Sequence, residues 1–164
     1  MLHAMGRGYS AADYLRLVDR VRSIWPDVSF TTDVIVGFPG ESDESFQNTC
    51  DLVARVGFSR LHVFEFSARP GAPAASFSHQ VPEKIKGERS HALARLGEQL
   101  ASRRAAEQIE SIVEVLFEER ENGSWTGYTR GYFRAAWETE EALGGELRQV
   151  RVVGANAALL QLRG

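Results

Sequence analysis

The stretch Thr31-Thr32-Asp33-Val34-Ile35-Val36-Gly37-Phe38-Pro39-Gly40-Glu41 joins a β-rich segment to a helical one. With Val28, Ser29 and Phe30 in front of it, residues 28–36 are β-branched and largely apolar, which predicts a strand covered on both faces. Gly37-Phe38-Pro39-Gly40 breaks the strand, and Ser42 or Asp43 starts a helix whose face carries Phe46, Cys50, Val53 and Val56. Gly57 stops that helix where a left-handed residue is wanted. A strand end that feeds a helix N-terminus is where α/β barrels hold ligands, and glycine there lets a ligand come close to the backbone. A tight strand-to-helix turn asks for the same residues, so spacing alone leaves both readings open.

Outward from this corner, helix and strand alternate. Ser10 is a good N-cap with Asp13 three residues on, and Tyr14, Leu15, Leu17, Val18, Val21 and Ile24 form a helical stripe ended by Pro26. Leu61 to Phe66 predicts a second strand, parallel to the first. Residues 67–81, with Pro70, Gly71 and Pro73, read as an ordered loop. Pro82 stands at the expected first position of a long helix reaching about residue 108, striped by Ile85, Leu93, Leu96 and Leu100. The pattern then changes. Segments at 111–119, 125–129, 132–137, 146–153 and 158–162, with the hairpin signal Asn122-Gly123, predict a small antiparallel five-stranded barrel. The fold class is thus α/β plus small all-β, and a two-strand α/β piece that cannot bury both sheet faces either finds its missing strands in a partner or is the tail of a longer barrel.

Composition removes whole classes of function. The chain has 164 residues, 43% hydrophobic and 25% charged, the balance of a globular protein rather than a disordered or collagenous one. No apolar run approaches the roughly 20 residues of a membrane span, and the first residues lack a signal-peptide core, so a cytoplasmic location and no membrane partner are expected. One cysteine, Cys50, allows neither an internal disulfide nor a cysteine-only metal site; it reads as a small buried hydrophobe on its helix stripe. Residues 1–108 carry 13 Lys/Arg against 13 Asp/Glu, while residues 109–164 carry 6 against 9. Any nucleic-acid contact must therefore come from local arginines rather than from a basic face.

Arg7-Gly8-Tyr9-Ser10, the eleven residues from Thr31 to Glu41, Phe46 and Thr49 together resemble the radical-SAM methylthiotransferases. The similarity continues through Leu61-His62-Val63-Phe64-Glu65-Phe66-Ser67-Ala68-Arg69-Pro70-Gly71-Ala72-Pro73-Ala74-Ala75 and Gln80-Val81-Pro82. The Leu-His-Val-Phe version looks most like the branch that acts on tRNA N6-threonylcarbamoyladenosine. The resemblance implies that residues 1–104 are the C-terminal part of a radical-SAM domain, a partial TIM-type (β/α) barrel. It implies that residues 105–164 are an OB-like TRAM β-barrel that binds RNA. It further implies addition of a methylthio group to C2 of that adenine beside the anticodon, with S-adenosylmethionine and 4Fe-4S clusters as cofactors. Carried over by position, Ile35, Gly37, Phe64 and Phe66 would contact the cofactor's adenosine. The partners implied are the tRNA anticodon loop and the N-terminal part of the same enzyme.

The residues also depart from that pattern. The family's cluster cysteines are missing, so no cluster is expected on this chain alone, and it is expected to be inactive by itself. Glu65 replaces the usual proline and Ala72 the usual threonine. Alternation would put Phe64 and Phe66 on one face, where both rings could equally be sheet-to-helix core. His3, His62, His79 and His91 have no metal spacing, and Asp33 with Glu41 does not define an acid–base pair. Gly37→Val is expected to abolish cofactor binding while leaving the fold mostly intact. In the terminal barrel, Trp125, Tyr128, Arg130, Tyr132, Phe133, Arg134 and Trp137 mix aromatics with arginines, and Tyr128, Arg130, Tyr132 and Arg134 are the RNA-binding candidates; the same set could be barrel core and rim, and alternation should send about half of it inside. The competing expectations are a stand-alone RNA-binding module, or a truncated fragment without catalysis.

Overall fold

A computed structural model describes residues 1–164, which form two compact units, Met1–Gly97 and Glu98–Gly164. The first contains α1 (Ala11–Ile24), β1 (Thr31–Val36), α2 (Asp43–Val56), β2 (Arg60–Glu65) and a 3₁₀ turn at Pro73–Ser76. Helix α3 (Glu83–Ala106) starts in this unit and ends in the second. The second unit then holds β3 (Ile112–Glu121), β4 (Ser124–Thr129), β5 (Arg134–Glu138), β6 (Leu147–Asn156) and β7 (Leu159–Arg163).

In the first unit, Ser10 caps α1 through a reciprocal capping box with Asp13. Ser42 caps α2 by accepting from the Ser45 amide, and Gly57 closes it at φ 62°, ψ 61°. Strands β1 and β2 pair in parallel, with Thr31 opposite Arg60, Asp33 opposite His62 and Ile35 opposite Phe64. The sheet is covered on one face only. Thr32, Val34, Leu61 and Val63 are half-buried, whereas Thr31, Asp33, Ile35, Arg60, His62 and Phe64 are exposed. Residues 28–36 were expected to be a strand buried on both sides. The strand instead begins at Thr31, and its second face is open because two strands carry helices on one side and nothing on the other. The core beneath holds Val18, Val36, Val53, Val56, Phe58 and Leu93, each at most 2% exposed. Each such side chain contributes roughly 1.5–3 kcal/mol of burial free energy.

The second unit is a closed barrel of strand order β3-β4-β5-β7-β6. All of its pairings are antiparallel except β5 with β7, which is parallel. The expected antiparallel five-stranded barrel therefore closes with one parallel pair. A ring with an odd number of strands cannot alternate direction throughout, so at least one neighbouring pair must run parallel. Asn122 (φ 49°) and Gly123 (φ 86°) form the tight turn between β3 and β4. Gly127 pairs with Phe117 next to the register shift between Phe117 and Glu119. A Cβ at Gly127 would overlap the Leu116 carbonyl and lie 2.9 Å from the Phe117 Cα. Ala105, Val115, Phe117, Phe133, Ala135, Leu143, Val150, Val152, Leu160 and Leu162 fill the interior.

Three further boundaries moved from their expected places. β2 ends at Glu65, so Phe66 lies past the strand, and Pro82 precedes the first residue of α3 rather than occupying it. The third barrel segment, β5, starts at Arg134 instead of Tyr132, because Tyr132 takes φ 60° in the turn that follows β4. No helix is long and apolar enough to cross a membrane.

Candidate functional site

The corner after β1 is held from two sides by buried charged groups of α3. Gly37 has φ 72°, a left-handed conformation that favours glycine. Its N–H donates to Glu41 Oε2 at 2.8 Å. Glu41 is itself buried and accepts from Arg89 Nη1 at 2.7 Å, while the same nitrogen donates to the Glu41 carbonyl at 3.1 Å. The other fork of Arg89 reaches Asp43 at 2.7 Å, and its guanidinium lies 5.5 Å from the Phe46 ring centroid. On the opposite side, the Lys86 stem fills the space that a Cβ on Gly37 would need. The fold alone therefore demands glycine at this position. A valine there would be strained and would displace Lys86, so the expectation that Gly37→Val spares the fold does not hold.

Lys86 also organises the end of β2. Its ammonium donates to the Phe66 carbonyl at 3.0 Å and pairs with Glu83 at 2.7 Å. The Phe66 N–H donates back to the Val36 carbonyl at 2.8 Å, so the two strand ends stay joined one step beyond the ladder. Phe66 is half-buried, edge-on to Phe38 at 5.2 Å, and Phe38 meets Phe77 edge-on at 6.1 Å. Phe66, Ser67, Ala75, Gln80, Glu83 and Lys86 line a groove of about 540 Å³ beside this corner. That volume lies in the range of small-molecule sites. Phe64, by contrast, projects from the open sheet face and is half exposed, next to Ile35. The shared face expected for Phe64 and Phe66 ends with the strand.

The remaining sequence candidates fall apart in space or chemistry. Asp33 is exposed on the open face while Glu41 is locked in its ion pair, so the two form no acid–base couple. His62 lies on the open face opposite Asp33, and His79 contributes only its carbonyl, which accepts from the Gly40 N–H. Cys50 is half-buried on α2, and burial, reinforced by the carboxylates of Asp51 and Glu41, pushes its thiol pKa up. No three His, Cys, Asp or Glu side chains converge as metal ligands. The residues present do not fit an iron–sulfur cluster. Lys86 and Arg89 escaped sequence reading because charged residues pass as solvated helix surface. Their signal was the phase: 86, 89, 93, 97 and 100 share one helical face, with Leu93 and Leu100 on it.

In the barrel, Phe133 is buried and Trp125 and Trp137 pack against the interior. Tyr128, Arg130, Tyr132 and Arg134 are all exposed. Tyr128 and Arg134 face each other across β4 and β5, whereas Arg130 and Tyr132 stand in the connecting turn rather than on strands. Leu147, Leu116, Tyr128 and Arg134 follow one another across four strands, giving an apolar row that ends in a cation. Both arginines have acidic partners, Glu114 for Arg130 at 3.1 Å and Glu121 for Arg134 at 2.6 Å.

The first unit thus sets its strand ends around a groove, and the second is a small closed barrel with exposed tyrosines and arginines. No protein-family model matches the chain. It is nevertheless homologous to tRNA methylthiotransferases along almost its whole length. It is 40% identical over 165 residues to the tRNA-2-methylthio-N(6)-dimethylallyladenosine synthase of Chloroflexus aurantiacus, an alignment covering 98% of this chain and 35% of that protein. The synthase of Pelotomaculum thermopropionicum is 37% identical over 163 residues, covering 98% of this chain and 36% of that protein. The threonylcarbamoyladenosine tRNA methylthiotransferase of Thermotoga maritima is 56% identical over 89 residues, which is 54% of this chain and 20% of that protein. The chain spans about a third of the length of the synthases it matches throughout.

Proposed function

We propose that this chain is the portion of a tRNA-modifying radical-SAM methylthiotransferase that carries the last strands of the cofactor barrel (residues 1–104) and a TRAM-type RNA-binding barrel (residues 105–164). The observation that carries the reading is homology along 98% of the chain, including the strand-end corner whose glycine and buried ion pair are described above. S-adenosylmethionine and the 4Fe-4S clusters supply the radical and sulfur chemistry in such an enzyme. The chain's own part is to hold the nucleoside end of S-adenosylmethionine. Ile35 and Phe64 offer exposed apolar surface on the open sheet face, and Gly37 and Phe66 sit at the strand ends beside it. The clusters would be held by the N-terminal part of the same enzyme, since Cys50 is this chain's single thiol.

Within the family, the branch acting on C2 of N6-threonylcarbamoyladenosine beside the anticodon is favoured. The identity of 56% to the Thermotoga maritima enzyme exceeds the 35–40% to the dimethylallyladenosine synthases, although over a shorter segment. A chimera tests both levels: residues 1–164 replace the matching segment of the Thermotoga maritima enzyme, and nucleosides from treated tRNA are analysed by mass spectrometry. A methylthio group on N6-threonylcarbamoyladenosine is the expected product. Modification of N6-dimethylallyladenosine instead would move the chain to the other branch. A folded chimera that binds tRNA and modifies neither would favour the second reading, a stand-alone RNA-binding module, for which the exposed Tyr128 and Tyr132 speak independently.

A further inference from the structure

We propose that Lys86 is a positioning residue for the cofactor corner, acting through Phe66 and Gly37; this rests on the reading that the corner holds S-adenosylmethionine. A lysine whose side chain is only 6% exposed is uncommon, because taking an ammonium out of water is costly unless its donors are satisfied. Here the burial has a consequence at both strand ends. The stem lies against the backbone of Gly37, in the space a side chain would occupy. The ammonium donates to the Phe66 carbonyl at 3.0 Å and sits 5.6 Å from the centroid of the Phe66 ring. One side chain thus fixes the first residue after β1 and the first residue after β2. Its remaining partner, Glu83, is 82% exposed, so that contact is a surface pair of small weight.

No other group does this work. The Phe66 N–H bond to the Val36 carbonyl ties β2 to β1 but does not tie either strand to α3. Arg89, one helical turn on, grips Glu41 and Asp43 and leaves Phe66 untouched. Phe66 and Lys86 also share the wall of the groove next to the corner. Without the ammonium, the Phe66 carbonyl loses its donor and the ring loses the cation lying near it, so the end of β2 becomes free to shift.

The test uses the chimera described above, in which residues 1–164 complete the Thermotoga maritima enzyme, with its clusters reconstituted, and two readouts. Lys86→Met keeps the aliphatic stem beside Gly37 and removes the charge. Amide hydrogen exchange at Phe66 and Gly37 is expected to quicken about tenfold, the weight of one charge-assisted hydrogen bond, while Val115 and Val152 in the barrel keep their rates. Lys86→Arg, which keeps a cation, should restore most of the protection. Exchange at Phe66 and Gly37 that is unchanged in Lys86→Met, or quickened equally at every amide, overturns the proposal. Should Lys86→Met lose its cooperative melt, Lys86→Gln is judged by the same amides. Separately, Lys86→Met is expected to weaken S-adenosylmethionine binding about tenfold by isothermal titration. If the chimera with Lys86 intact, the wild type of this comparison, binds no S-adenosylmethionine, the cofactor reading falls and the role of Lys86 in positioning a cofactor falls with it. If the wild type binds and Lys86→Met binds equally well, only the positioning role is lost.

Discussion

Gly37 and Glu41 show how much one backbone conformation asks of its surroundings. Gly37→Ala should cost about 2–4 kcal/mol in denaturant unfolding, because the residue is left-handed and its Cβ meets Lys86. Glu41→Gln should cost about 3 kcal/mol by the same measurement, since it leaves the Arg89 guanidinium buried with only the exposed Asp43 as counter-charge. The sequence made the glycine conspicuous and left a ligand or a tight turn as the reason for it. The nearer reason, a lysine 49 positions away in the chain, has no local trace. The same holds for Glu41, whose partner is set by how α3 packs. Ile35 and Phe64 were legible as neighbours, because parallel pairing of two recognisable strands brings them side by side.

Among the elements, those whose ends carry local chemistry were read closely. Ser10 with Asp13, Ser42, Gly57 and Asn122-Gly123 all stand where they were expected, since a cap or turn is decided within four residues. Asp13 also makes α1 sensitive to acid. Hydrogen bonds from the Ser10 side chain and backbone, together with Arg16, hold its carboxyl below the usual range. Its contribution is complete above the ordinary carboxylate pKa and is lost as pH falls through the lowered one. The first turn of α1 should therefore lose amide protection below about pH 4, and Asp13→Asn should remove that pH dependence. Elements whose limits depend on neighbours were read less well, as at Thr31, where pairing with Arg60 and not composition begins the strand. Gly127 belongs to this second kind. Its meaning appears only when β3 pairs with it, and Gly127→Ala should cost about 3 kcal/mol or more, seen as loss of the barrel's cooperative melt.

For the whole molecule, net charge and its pairing set the terms of any RNA contact. The chain carries −3 overall, and Arg130 and Arg134 already rest on glutamates. If both reach phosphates in the tRNA complex, Arg130→Ala/Arg134→Ala should weaken tRNA binding and lower the salt slope by roughly one unit per lost contact. Glu114→Gln/Glu121→Gln should act in the opposite sense on affinity. Filter-binding at several salt concentrations measures both, and an unchanged slope in the arginine variant removes this face from RNA recognition. The exposed members of the aromatic–arginine set were legible only as about half of it, and the structure gives interior places to Trp125, Phe133 and Trp137. Their acidic partners were not legible, since Glu114 and Glu121 lie on a strand paired from the far side of a turn.

The place of β7 between β5 and β6 has a bearing on how this molecule is made. A ribosome delivers β3, β4, β5 and β6 first, and until residues 159–163 emerge the ring has a gap with two unsatisfied edges. A nascent chain stalled in that gap would offer both edges to any other strand in reach. Closure is the final event of synthesis for this barrel, and a premature stop after Ala158 would yield an aggregation-prone product rather than a smaller version of the same domain.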